Sequence, residues 1–139
     1  MTIPIEYLRK YLVQNEVLDE DKIGIGYQNP TLSTSICILQ NGSSEPISAY
    51  GSHEMVYRYA VEIKIRAPTI DEAYEIVNRI SRLCDNRTIY KSVRMMPESI
   101  SDTGTTAVQA GSEVSSQFVY TTESREISMT YTLWYSVIW

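Results

Sequence analysis

The chain has 139 residues, of which 43% are hydrophobic and 21% charged, and its formal net charge is −5. This length and composition are typical of one folded domain, so we expect a single domain over residues 1–139. The acidic balance argues against nucleic-acid recognition through phosphate neutralisation, which requires clustered lysine and arginine. No apolar run is long enough to cross a bilayer, and the first residues lack the apolar core of a secretion signal, so we expect neither membrane insertion nor secretion.

The first predicted element is a short helix over residues 3–14. Three apolar side chains recur at helical spacing and share one face of it: Ile5, Leu8 and Leu12. Thr2 is the expected N-cap, and Asn15 is a plausible stop because asparagine tolerates the left-handed conformation that ends many helices. A helix this short needs tertiary packing to persist.

The next segment is predicted to be extended, with a short strand near Ile23 and a longer strand over residues 34–40. The Asn-Gly pair at residues 41–42 accepts positive φ angles and favours a hairpin turn. We expect the polar stretch that follows, up to Glu54, to form a loop with a short strand around residues 47–50.

The strand with the clearest pattern covers residues 55–66, because apolar and polar side chains alternate along it. One face carries large apolar and aromatic groups: Tyr57, Tyr59, Val61, Ile63 and Ile65. The other face carries mostly charged groups: Arg58, Ala60, Glu62, Lys64 and Arg66. This alternation predicts a sheet with one face packed on a core and the other facing water or a partner.

The clearest helix is predicted over residues 70–84. Thr69 is placed to cap it, and Glu72 three residues later completes the sequence pattern of a capping box. Glu75 and Arg79 are spaced for an ion pair on the helix surface. A continuous apolar stripe is predicted to pack against the sheet: Ala73, Ile76, Val77, Ile80, Leu83 and Cys84.

The last third of the chain is predicted to hold three strands and a long loop. One strand covers residues 89–96 and is expected to end at Pro97, which cannot donate to a sheet ladder. A loop rich in Ser, Thr and Gly follows over residues 99–115. A short strand near residues 116–122 and a long aromatic strand over residues 126–139 complete the chain.

The chain offers few groups for catalysis or metal binding. His53 is its one histidine, and no nucleophile motif or metal-binding spacing accompanies it. Cys37 and Cys84 are far apart in sequence and are expected to be reduced, buried side chains. The carboxylates at residues 19–21 are expected to lie in a solvated turn. We therefore expect no enzymatic activity, no cofactor and no metal; a small enzyme that uses His53 is the alternative.

The polar face of the predicted 55–66 strand is the best candidate for a contact surface. Arg58, Lys64 and Arg66 project together from alternate positions, although Glu62 lies among them. Arg94 extends this cationic set if its strand pairs with that one. A solvated sheet face is the alternative. On the contact hypothesis, charge reversal at Arg58 or Arg66 disturbs partner contacts more than folding.

The order of elements resembles the tail terminator family of long-tailed phages, whose members are sometimes labelled minor capsid proteins. The resemblance is clearest in "VEIKIRAPTIDEAYEIVNRISRLCD", residues 61–85, where a strand is followed by a helix that opens with Asp-Glu-Ala. It continues in order through the N-terminal helix and the final "REISMTYTLWY" segment. The long loop over residues 99–115 departs from the family pattern.

The resemblance implies an α+β fold in which two helices pack on one face of a mainly antiparallel, mixed sheet. It also implies a structural virion protein, made in the host cytoplasm, that forms a ring, usually a hexamer, on the end of the tail tube. Such a ring stops tube polymerisation and meets the head-side connector, and DNA passes through its lumen. Alternatives are another neck or head-completion protein, or a ferredoxin-like binding module, against which the negative charge already argues.

Overall fold

The computed structural model describes residues 4–26, 33–48, 54–89, 93–110 and 120–138. It contains two α-helices and six strands, together with a short 3-10 helix over Glu20–Lys22. The helices are α1 (Pro4–Gln14) and α2 (Ile70–Cys84). The strands are β1 (Ile23–Ile25), β2 (Ser35–Ser48), β3 (Glu54–Ala67), β4 (Thr88–Ile89), β5 (Val93–Ala110) and β6 (Tyr120–Ile138).

All six strands form one mixed sheet with the order β1-β2-β3-β6-β5-β4. The pair β1–β2 is parallel, and the other four pairs are antiparallel. The centre of the sheet is the pairing of β3 with β6, which runs without interruption from Glu54 opposite Ile138 to Ala67 opposite Arg125. The predicted α+β class with a mainly antiparallel sheet is confirmed.

Both helices contribute to one core on the same side of the sheet. α2 packs mainly against β3 and β6, and α1 packs against β1, β2 and β4. Because β1 and β4 are the opposite edges of the sheet, a helix that contacts both requires the sheet to curl around the helical layer. The core joins side chains from both helices and the central strands, including Leu8, Leu12, Ile63, Ile65, Ile80, Met95, Ile127 and Leu133.

The boundaries of α2 agree with the prediction from its capping residues and apolar stripe. The Thr69 side chain accepts a hydrogen bond from the Glu72 backbone N–H at 3.3 Å. Arg79 donates to the Glu75 carboxylate at 2.9 Å. The stripe faces the core, and its fully buried members are Ala73, Ile76, Val77, Ile80 and Cys84.

The end of α1 is set by a hydrogen-bond pattern one residue beyond the predicted stop. Asn15 still donates its N–H to the Tyr11 carbonyl, and Glu16 is the residue with positive φ, at 56°. The Glu16 and Val17 N–H groups bond back to the Val13 and Leu12 carbonyls, which is the pattern of a Schellman motif. The predicted cap Thr2 lies outside the described residues.

The predicted turn at residues 41–42 is wrong, because β2 continues through it to Ser48. Asn41 pairs with Ala60 and Glu45 with Arg58, so four steps along β2 match two steps along β3. The two extra residues are absorbed as an irregularity inside the strand. The predicted short strand at 47–50 is therefore the end of β2, and residues 49–50 lie outside the described part of the chain.

The predicted loop over residues 99–115 is also wrong for residues 99–110, which belong to β5. Pro97 does not end the strand because it lies at a register shift between Pro97 and Ser99. Proline is tolerated at bulges and edges, where its missing N–H costs no ladder bond. β6 correspondingly begins at Tyr120, while residues 111–119 lie outside the described part of the chain.

Candidate protein-protein interface

The alternation predicted for β3 is confirmed, and it divides the sheet into a core face and a polar face. Val61, Ile63 and Ile65 are buried under the helices. Arg58 points to the opposite face and is exposed, while Lys64 and Arg66 on that face are half-buried. The three predicted cations of this strand therefore share one face of the sheet.

The fourth predicted cation, Arg94, reaches the same face through a strand that the sequence did not place. β5 does not pair with β3, since β6 lies between them. Arg58 and Arg94 are each the register partner of Trp134 on β6. We call these three residues the Arg–Trp–Arg row.

The Arg–Trp–Arg row combines an aromatic surface with two positive charges. The guanidinium carbon of Arg58 lies 5.8 Å from the centroid of the Trp134 ring, within the range of a cation–π contact. Arg94 is exposed on the other side of Trp134, which is half-buried. A guanidinium that rests on an indole loses less conformational freedom on binding than a free one, so the row is partly organised for a contact.

Lys64 and Arg66 lie further along β3 and already have acidic partners. The Lys64 Nζ atom is 3.6 Å from the Glu62 carboxylate. Arg66 lies 3.5 Å from the Glu126 carboxylate, and the two side chains are only 12% and 11% exposed. The Arg66 Nε atom is buried without a hydrogen-bond partner in the part of the chain described. Arg66 therefore joins β3 to β6, and we expect its charge reversal to weaken folding, contrary to the expectation from sequence.

Trp134 is the residue of this surface that sequence reasoning did not select. The sequence does place Trp134 on the polar face of β6. It continues the series of every second residue that contains Ser128, Thr130 and Thr132. A tryptophan at a polar-face position offers a large contact area with a hydrogen-bond donor at its edge. Its position between two arginines depends on strand order, which the periodic pattern does not encode.

The polar face beside the Arg–Trp–Arg row is connected by side-chain hydrogen bonds. The Thr132 hydroxyl donates to the Glu98 carboxylate at 2.7 Å. Ser99 and Thr130 share a hydroxyl–hydroxyl hydrogen bond. These contacts join β5 and β6 on the polar face of the sheet.

The groups considered for chemistry do not form a reactive site in the described residues. His53 lies outside them. Cys37 and Cys84 are free and buried, and burial raises the pKa of the Cys84 thiol to about 12, so the thiol is protonated at neutral pH. Tyr131 donates to the Asp85 carboxylate at 2.6 Å, and burial with this hydrogen bond raises the pKa of Tyr131.

Metal-ligand clusters and membrane-spanning helices are both absent from the described residues. They contain no group of three or more His, Cys, Asp or Glu side chains arranged to hold a metal ion. Neither α1 nor α2 has the length and apolar content needed to cross a membrane.

Comparison with known proteins finds overlap with solved structures. No family model matches the chain, and no curated protein matches it. A chain from a solved structure described as "Virion of native gene transfer agent (GTA) particle" superposes with a TM-score of 0.45 and 10% sequence identity. The overlap covers 99% of this chain and 100% of that chain. A TM-score this low does not establish a shared fold.

Proposed function

We propose that this protein is a non-enzymatic structural protein of a phage virion that forms a ring on the end of the tail tube. The ring stops tube polymerisation, joins the tube to the head-side connector and leaves a lumen for DNA. Its support is the resemblance of residues 61–85 to tail terminators, combined with a surface suited to protein contacts. The protein works in the virion after assembly in the host cytoplasm.

The observation that carries this proposal is the Arg–Trp–Arg row on the sheet face opposite both helices. Arginine and tryptophan are enriched among the residues that dominate protein–protein binding energy. Arg58 and Arg94 are exposed on either side of Trp134, which places all three in reach of a partner surface. A partner surface with carboxylates spaced to meet both guanidinium groups fits this row.

The outer part of β5 and β6 adds a second element suited to assembly. β3 ends opposite Arg125, so residues 106–110 and 120–124 pair with each other beyond the end of β3. A two-stranded ribbon is marginally stable on its own and gains stability by packing on another surface. A ribbon from one copy that packs on the next copy gives the head-to-tail contact that a closed ring requires.

Charge reversal in the Arg–Trp–Arg row tests the proposed contact. We expect the wild-type protein to form a ring and the Arg58→Glu/Arg94→Glu double variant to dissociate to monomers that keep their thermal stability. Static light scattering measures the particle mass, and circular dichroism measures the melting temperature.

Arg82→Glu is the matched control, because Arg82 is an exposed arginine on α2, away from the polar face. It should form the same ring as the wild type. If the double variant assembles as well as the control, the Arg–Trp–Arg row is not part of the interface. A strictly monomeric wild-type protein contradicts the proposal of a ring.

A further inference from the structure

An open cavity of about 390 Å³ lies where β5 bends beside the end of α2. Its lining includes Asp85, which follows α2, and Ile100 on β5. It also includes Met129 and Tyr131 on β6. The volume is enough for one or two large side chains, within the range of roughly 300–1,000 Å³ that ligand pockets span. We call this site the β5 groove.

The backbone edge of β5 beside the groove is unpaired in the described part of the chain. β4 pairs only with Val93 and Arg94, and the Met95 N–H donates to the Arg87 carbonyl at 2.9 Å. From Pro97 to Ala110, no described strand lies along that edge, and β6 occupies the other one. Register shifts at Pro97/Ser99 and at Asp102/Gly104 interrupt this edge, so residues 99–102 between them present the backbone groups that can bind an added strand.

The side chains at the groove are apolar and incompletely covered. Ile100 is 51% exposed, although its register partner Met129 is buried on the core face. The main helix contacts fall on other strands, since α2 packs on β3 and β6 and α1 on β1, β2 and β4. Ile100 therefore continues the core face beyond the area that the helices cover.

The charges at the groove are acidic. Asp85 and Glu98 both line the cavity, and no Lys, Arg or His is among its described lining residues. Each carboxylate is held in place by a hydroxyl donor, Asp85 by Tyr131 on the core face and Glu98 by Thr132 on the polar face. A bound segment therefore gains from lysine or arginine beside its apolar side chain.

We propose that the β5 groove binds an extended segment of a different protein, which adds to the sheet along β5. A large apolar side chain of that segment fills the cavity against Ile100 and Met129. A basic side chain on the same face of the segment meets Asp85, and a basic side chain on its opposite face meets Glu98. This site is separate from the Arg–Trp–Arg row, so a negative result for the ring contact does not contradict binding at the groove, and the reverse also holds.

The probe is a blocked heptapeptide of threonine with lysine, leucine and lysine at its second, fourth and fifth positions. In a strand the first lysine shares a face with leucine, and the second lysine lies on the opposite face. Two control peptides replace leucine by serine, or both lysines by glutamate. NMR of protein labelled at isoleucine and methionine methyl groups reports the contact. We expect saturable shifts at Ile100 and Met129 with the first peptide, and weaker or absent shifts with both controls.

Two surface variants test whether the mapped site is responsible. Ile100→Ser should weaken the apparent peptide affinity about tenfold or more, because it removes the apolar contact at the groove. Tyr74→Ser is the control, because Tyr74 is also a large exposed side chain and lies on α2. Glu98→Gln should weaken binding of the lysine peptide and leave the melting temperature unchanged.

Four results overturn the proposal. One is the absence of saturable shifts, and another is shifts that map to the Arg–Trp–Arg row instead of the groove. A third is equal binding of the lysine and glutamate peptides. The fourth is a change of the Ile100 and Met129 signals with protein concentration, in the absence of peptide, that Ile100→Ser abolishes. That result assigns the groove to a second copy of this chain.

Discussion

Arg66 and Glu126 show how a residue on the polar face of a sheet can serve the fold instead of a contact. Both side chains are nearly buried, at 12% and 11% exposure, and their charged atoms lie 3.5 Å apart. Removal of one partner leaves the other charge buried without full compensation, which costs more than loss of an exposed pair. Lys64 and Glu62 on the same face are 35% and 21% exposed, so water screens their charges more effectively.

The variant Arg66→Met is therefore predicted to lower the free energy of unfolding by about 3–5 kcal/mol. Lys64→Met, on the same strand and the same face, is predicted to cost under about 1 kcal/mol. Urea unfolding followed by tryptophan fluorescence measures both. Equal losses in the two variants contradict the distinction between the buried and the exposed ion pair.

The residues of the candidate interface were only partly predictable. Arg58 could be selected because its polar position alternates with the buried positions of a regular strand. Arg94 was also selected, but its relation to Arg58 was not predictable, because β6 is inserted between their strands. Trp134 acquires its place between the two arginines only through that strand order.

At the scale of elements, α2 depends on local signals that act within a few residues. Thr69 satisfies the Glu72 N–H, one of the donors that a helix start leaves without an internal partner. The apolar stripe buries five residues against the sheet. These local features explain why the helix could be predicted with the correct ends.

Thr69→Ala is predicted to destabilise the protein by about 1 kcal/mol, within the 0.5–2 kcal/mol range typical of lost N-caps. Thr69→Ser keeps the accepting oxygen and should remain within a few tenths of a kcal/mol of the wild type. Thermal or urea unfolding compares the two variants. A serine variant as unstable as the alanine variant shows that the threonine acts through something other than its hydroxyl.

The predictions of a turn in β2 and of a loop in β5 were wrong because, unlike in α2, pairing with distant strands overrides the local turn signals there. The Asn-Gly pair at 41–42 favours a turn in isolation, but β3 provides a partner for the residues on both sides of it. Residues 99–110 contain few large apolar groups, yet β6 pairs with them up to Ala110. A strand pairing of this kind depends on a partner elsewhere in the chain, so a local pattern does not reveal it.

At the scale of the whole molecule, the curl of the sheet separates two surfaces. The core side holds both helices, and α1 contacts the two edge strands β1 and β4. The polar side carries the Arg–Trp–Arg row at the centre of the sheet, on β3, β6 and β5. The β5 groove lies at the edge, beyond the area that the helices cover. The two proposed contact surfaces are therefore separate on the molecule.

We propose above that this protein forms a ring that caps a tail tube. Negative-stain images of tail tubes polymerised with and without the purified protein test it most directly. We predict a ring-shaped particle at one tube end and tubes that stop growing once it is bound. A protein that stays monomeric, does not bind tube ends and does not limit tube length contradicts the account; a ring seen on the head side of the neck instead identifies a different neck protein.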